Sequence, residues 1–479
     1  MLIGNAFFIL FSCLQKPTPL PDAIIDINPY REQISWDDIE SQASQDLSAF
    51  LQVNTVNPPG NEKDGALWLA KQFEREGIPY EILEYAPNRA NFVAKLQADP
   101  KWKSDQKPLC LLSHVDTVTF DEEKWTSGIH PLSGHIDEEG NIWGRGALDM
   151  KSMTIMEMWS MFLLKRNNVP LHRDVYFLAV ADEEVDGSGM QHLVNTYWDF
   201  LDCGQLINEG GLGLHDMLFE GQDVYPISIG EKGNIWIKMW AYGEAGHGST
   251  PRENEAPVRL IEAITKLQNR DIQPEIHEEM ALFFSAIGEG KGGISKIVMQ
   301  NSLLSNLLVK PKLMKNPLTR AAMINTVHLT GLEGSNKPNV VPAEVYAVLD
   351  CRIQPGVDPE QFLKELQDIV GEEIHFEILM SREGNKSPMD DSLYHALRRY
   401  AVEGSETSVT GPVISVGFTD SVYARDKGVH AYGFAPITLT AEEMEGFHGK
   451  NERVNKEDLG TGIYKLHSAV LEVAAINKE

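Results

Sequence analysis

The chain has 479 residues, 42% hydrophobic and 23% charged, the make-up of a globular protein with more than one core. Its net charge of −28 excludes nucleic acid as a partner and argues against an anionic membrane surface. Cys13, Cys110, Cys203 and Cys351 lie far apart with no C-x-x-C pair, so neither a disulfide framework nor a sulfur-ligated zinc site organises the chain.

The chain opens on "MLIGNAFFILFSC", a short apolar run ending at Cys13. It suits a signal-peptide core better than a membrane span. "LFSC" resembles a bacterial lipoprotein signal, although no Lys or Arg precedes the run. The expectation is export with a lipid anchor on Cys13; without a working signal the protein is cytoplasmic. Residues 14–35, with Pro17, Pro19, Pro21 and Pro29, read as a linker.

Helices are predicted over 36–53 and 64–77, the second stopped by Gly77. "YEILEY" and "NFVAKLQ" alternate like strands. "PLCLLSHVDTV", "DVYFLAVADEE" and "QLINEGG" read as buried strands, with the long apolar helix "SMTIMEMWSMFLLKRN" after the first. This alternation predicts an α/β sheet with its chemistry at the carboxyl ends of the strands. From "NIWIKMWAYGEAGHGSTP" the pattern changes, with an irregular stretch at about 270–320 inside it. Strand, helix, two strands, helix and strand follow in β-α-β-β-α-β order, a ferredoxin-like unit. The expected division is 1–35 signal and linker, 36–227 and 383–479 one α/β domain, and 228–382 a small domain inserted into it.

Charged residues mark the strand ends. His114 and Asp116 in "SHVDT" fall on one side of a strand, so the aspartate can orient a ligating histidine, or the pair is a structural hydrogen bond. Asp149 in "GRGALDMK" precedes a helix and could equally cap it. Glu183 and Glu184 in "ADEEVDG" repel each other unless a cation or shared proton relieves them; a solvated acidic turn is the alternative. Glu209 ends the next strand, and His448 in "GFHGKNERV" lies near the start of the last helix. Two histidines and three carboxylates suit a two-zinc site, with one carboxylate left for proton transfer.

These motifs, with "NEGG" and "GFTDSVYARDKGVHAYGFAP", resemble the co-catalytic zinc peptidase family of aminoacylase, carboxypeptidase S, glutamate carboxypeptidase and succinyl-diaminopimelate desuccinylase. The likeness runs from about residue 40 to the C-terminus. It implies an α/β/α catalytic domain on a mixed sheet with an inserted ferredoxin-like domain. It implies two Zn2+ per chain, with Co2+ or Mn2+ as substitutes, held by His114, Asp149 as the bridge, Glu184, Glu209 and His448. Asp116 then orients His114, and Glu183 is the general base. A cis peptide is implied between Asp149 and Met150. His247 in "GEAGHGSTP" is implied to reach the substrate carbonyl, often from a partner subunit; packing or capping is the alternative. Asn339, Arg352 and the turn at Thr419 are implied near substrate. A turn role for Asn339 and an ion pair for Arg352 remain open. The implied activity is cleavage of the amide bond of N-acyl amino acids or short peptides, with homodimerisation through the small domain. A catalytically inactive relative acting as a small-molecule or peptide binding module is the competing class.

Overall fold

A computed structural model describes residues 16–217, 220–250 and 252–477. Cys13 lies outside the described residues.

The larger sheet has ten strands. At its centre, Val175–Val180, Leu109–His114, Gln205–Asn208 and His430–Gly433 run parallel and side by side. All six residues of the Leu109–His114 strand are buried, which is why it reads as a continuous apolar run. Tyr80–Ala86 and Arg89–Leu96 form the antiparallel edge, and the sheet is therefore mixed. Trp36–Leu51, Lys151–Arg166 and Lys456–Ala474 pack together over one face. The middle helix is buried from Lys151 to Leu164, so its apolar residues occupy every side. Glu62–Glu76 ends as predicted at Gly77, whose φ of 63° is left-handed.

The second sheet is antiparallel, in the order Thr326–Glu333, Glu344–Ile353, Gly233–Tyr242, Ile374–Arg382. Helices Ala256–Gln268 and Pro359–Val370 pack on one face through Leu260, Leu267, Phe362 and Leu366. This is the predicted β-α-β-β-α-β order.

Three expectations are corrected. The stretch at 270–320 is largely helical: Glu278–Lys291, Gly293–Gln300 and Pro317–Met323, with short turns between. Gly292, Asn301 and Asn316 sit at helix junctions and Gly288 and Gly290 inside the first helix, where they interrupt the periodicity without abolishing the helices. The described part of the expected linker, residues 16–35, is not free: Arg398 donates to the Thr18 carbonyl at 2.8 Å and Arg399 to the Pro21 carbonyl at 2.6 Å. Ile27 and Tyr30 are buried, Tyr30 Oη donates to the Ile476 carbonyl at 2.8 Å, and Arg31 pairs with Glu403 at 2.6 Å. Cys110 and Cys203 form a disulfide across 93 residues, tying the His114 strand to the segment before Gln205. Sequence distance concealed it because the two strands are sheet neighbours.

Candidate metal centre

The strand ends deliver the acidic groups to one place. His114 closes its strand, Glu183 and Glu184 follow Val175–Val180, and Glu209 follows Gln205–Asn208. Asp149 arrives on the loop before the buried helix. The cap position there is Met150, with no side-chain cap bond, so Asp149 is not a helix cap. The Asp149–Met150 peptide is cis, as implied.

Asp149 turns its two oxygens in different directions. Oδ1 lies 3.0 Å from His114 Nε2, and Oδ2 lies 2.7 Å from His448 Nε2. Glu209 Oε2 stands 3.9 Å from His114 Nε2, and Glu184 Oε2 stands 3.2 Å from His448 Nε2. Two trios result, His114–Asp149–Glu209 and Asp149–Glu184–His448, each with ligand atoms within 4.8 Å of one another. They share Asp149. His448 sits on a loop ahead of Arg453–Asn455 and reaches the site with a φ of 52°.

His114 Nδ1 donates to the Asp116 carbonyl oxygen at 3.1 Å, with the Asp116 carboxylate at 3.4 Å. That contact leaves Nε2 as the free ring nitrogen, and Nε2 faces carboxylates. A lone pair aimed at a carboxylate needs a proton or a cation between them. Without a cation the histidines hold protons. Burial works against the charge on His114, but hydrogen bonds to Asp116 and Asp149 raise its pKa well above the usual value. Asp149 and Glu184 hold His448 up at about 10. Glu183, Glu184 and Glu209 are raised, first by burial and next by neighbouring groups: Glu209 raises Glu183, and Asp149 raises Glu209. For Asp149 burial is outweighed by the two histidines, which hold it low. Oxygen and imidazole donors, no sulfur and an excess of buried negative charge fit divalent cations in the two trios.

Behind the site the sequence reading saw less. Asp116 accepts the backbone N–H of Glu183 at 3.1 Å and of Glu184 at 3.2 Å, so it fixes the acidic turn as well as the histidine. Asn57 Nδ2 donates to Asp116 at 2.9 Å and to Asp182 at 2.8 Å. Glu62, Asp116 and Asp182 make a third acidic trio, but Arg89 pairs with Glu62 at 3.2 Å and also with Asp182, so an arginine already supplies the positive charge. Glu452, inside the quoted "HGKNERV", accepts from the backbone N–H of Gly146 at 3.0 Å, Leu148 at 2.7 Å and Asp149 at 3.2 Å, and from Arg145 at 2.6 Å. Nothing in local sequence pairs these residues. The one available signal was a charged residue inside each motif with no assigned role.

None of the substrate-side residues belongs to either trio. His247 is exposed, with Nδ1 2.8 Å from Ser249 Oγ. Exposed Asn339 adjoins it: its carbonyl accepts from Gly248 N–H at 2.9 Å, and His247 is paired with Val340. Arg352 makes a bidentate pair with Asp350, at 2.7 and 3.0 Å. Thr419 donates its hydroxyl to Glu231 at 2.6 Å, and Glu231 is in turn paired with Arg425 at 2.8 Å.

A mixed α/β sheet thus gathers histidines and carboxylates at its strand ends, in groups that could hold metal ions. The chain matches the model of peptidase family M20/M25/M40 over residues 110–472 and belongs to that family. It is 28% identical over 442 residues to aminoacylase-1A of Rattus norvegicus, covering 90% of this chain and 95% of the relative. It is 27% identical to a probable carboxypeptidase S-like 2 of Dictyostelium discoideum, covering 76% and 72%. The solved M20 family metallo-carboxypeptidase of Sulfolobus solfataricus superposes with a TM-score of 0.65 at 20% identity, over 89% of this chain and 98% of that one, a likeness of fold.

Proposed function

We propose that this chain is a metal-dependent hydrolase that releases a free amino acid from N-acyl amino acids or short peptides. The observation that carries the reading is the pair of ligand trios sharing Asp149. We assign His114, Asp149 and Glu209 to one zinc ion and Asp149, Glu184 and His448 to a second, with Co2+ or Mn2+ as substitutes. When bound, such a pair supplies Lewis acidity and a more acidic water.

The chain's own groups then do the following. Asp116 holds His114 Nδ1 and the turn that carries Glu183 and Glu184. Glu183 takes a proton from the attacking water and hands it to the leaving nitrogen as the amide C–N bond breaks. The new carboxyl keeps the water oxygen, and the amine leaves neutral.

His247 is the proposed donor to the carbonyl oxygen, with Asn339 beside it. Their exposure favours delivery by closure or by a second copy of the chain. This goes with residues 228–382 being an inserted domain that also dimerises. Arg352 and Thr419 are proposed near substrate, although both spend their donors on Asp350 and Glu231. The Cys110–Cys203 bond is the chemistry of an oxidising compartment and favours export; a lipid on Cys13 is a separate proposal that the bond does not bear on.

The test is release of free amino acid from a panel of N-acetyl amino acids and dipeptides by zinc-loaded protein. Turnover that a chelator abolishes and zinc restores supports the reading. A folded, zinc-loaded protein inert on the whole panel contradicts it.

A further inference from the structure

The net charge of −28 points away from anionic surfaces, but it is not evenly spread. Between residues 290 and 332 the chain has Lys291, Lys296, Lys310, Lys312, Lys315 and Arg320 and no Asp or Glu. Lys296 pairs with Glu289, and Lys291 donates to the Glu220 carbonyl. Lys312, Lys315 and Arg320 are exposed, and among the described residues no ion pair engages them or Lys310.

The same helical layer leaves large apolar side chains in solvent. Ile294 is 79% exposed, Ile297 60%, Leu307 70% and Leu318 62%, with Leu303 and Leu308 about half exposed. Ile294 and Ile297 are one turn apart on Gly293–Gln300, so they share a face. Isolated exposed leucines are ordinary; a run of them on consecutive short helices, interleaved with unpaired cations, is not. Apolar side chains for the acyl boundary and lysines for the headgroups make up the pattern of a helix lying in a membrane interface.

The described chain begins beside the preceding helix, Glu278–Lys291. Pro17 and Thr18 line a small cleft with Leu282 and Ala286 of Glu278–Lys291.

We propose that the helical layer of residues 291–320 is an interfacial docking surface for anionic lipid, with Ile294, Ile297 and Leu307 entering the acyl boundary and Lys310, Lys312 and Lys315 meeting phosphate headgroups. An anionic lipid layer accepts the cations and the apolar side chains together, and a second copy of this chain is an outcome the test distinguishes. The proposal is independent of amide hydrolysis.

The experiment is sedimentation of the full chain with phosphatidylcholine vesicles, with and without phosphatidylglycerol, at low and high salt. The comparison proteins are K310E/K312E/K315E and I294S/L307S. Their fold is checked by circular dichroism and by unchanged hydrolysis. Wild-type binding that requires phosphatidylglycerol, weakens with salt and falls at least about tenfold in each variant is the expected result. Equal binding by wild type and both variants would assign attachment to the N-terminal run and overturn the proposal. So would no wild-type binding, or a dimer lost in I294S/L307S while vesicle binding is kept.

Discussion

Glu452 accepts the backbone N–H of Asp149 at 3.2 Å, from a position 303 residues away in the chain. The same carboxylate pairs with buried Arg145 at 2.6 Å and accepts from Leu148 N–H at 2.7 Å. The loop that offers Asp149 to two histidines is thus hung from the segment that carries His448. Glu452→Ala leaves the Arg145 charge buried without its partner and is expected to cost about 3–5 kcal/mol. Glu452→Gln keeps an acceptor and costs less. Urea denaturation of both variants checks the order, and equal stability of Glu452→Ala and wild type would remove the anchor role.

Glu183 provides no ligand atom to either trio. Glu183→Gln is therefore expected to keep its metal while kcat falls about 10²–10⁴-fold, the share general-base catalysis supplies. Metal analysis beside steady-state kinetics separates this from Glu184→Gln, which should lose metal as well as rate.

Lys232 gives a pH dependence of known sign. It is buried, and burial first, then Arg352, lower its pKa to about 7 from 10.5. Its ammonium donates to the carbonyls of Ala321 at 3.0 Å and Ile324 at 2.8 Å. Between about pH 7 and 10.5 the unfolded chain binds the proton and the folded chain does not, so this group makes stability rise with pH across that window. Below about pH 7 it is charged in both states and its full burial cost is present. Lys232→Met is expected to flatten part of the rise in urea midpoint between pH 7 and 9; an unchanged slope would contradict the assignment.

The Cys110–Cys203 bond closes a long loop within the sheet that carries His114. Replacing both cysteines with alanine is expected to cost about 2–5 kcal/mol. A reductant should lower the wild-type melting temperature and leave the double variant unmoved.

What was legible in the sequence follows from periodicity and local motif. The buried strand at Leu109–His114, the helix ending at Gly77 and the β-α-β-β-α-β order are local patterns, and they appear where expected. His114, Glu184 and Glu209 stand out as polar residues at the ends of buried strands, whereas Asp149 and His448 lie on loops and were marked by their motifs and the family resemblance. Asn57, Arg89 and Glu452 were not, because their partners are distant in sequence and each looks like an ordinary loop or surface residue on its own. The helices at 278–323 were missed because most are short, Gly288 and Gly290 interrupt Glu278–Lys291, and from Gly293 onward several large apolar side chains face solvent, which blurs the inward stripe that marks a helix.

The central claim is that one carboxylate, Asp149, joins two cation sites. The most direct measurement is metal content per chain by elemental mass spectrometry after zinc loading, for wild type, His114→Ala and Asp149→Ala. The account predicts about two metals in the wild type, loss at one site in His114→Ala, and loss at both in Asp149→Ala. A folded wild type holding no metal, or an Asp149→Ala variant that still holds two, would contradict it.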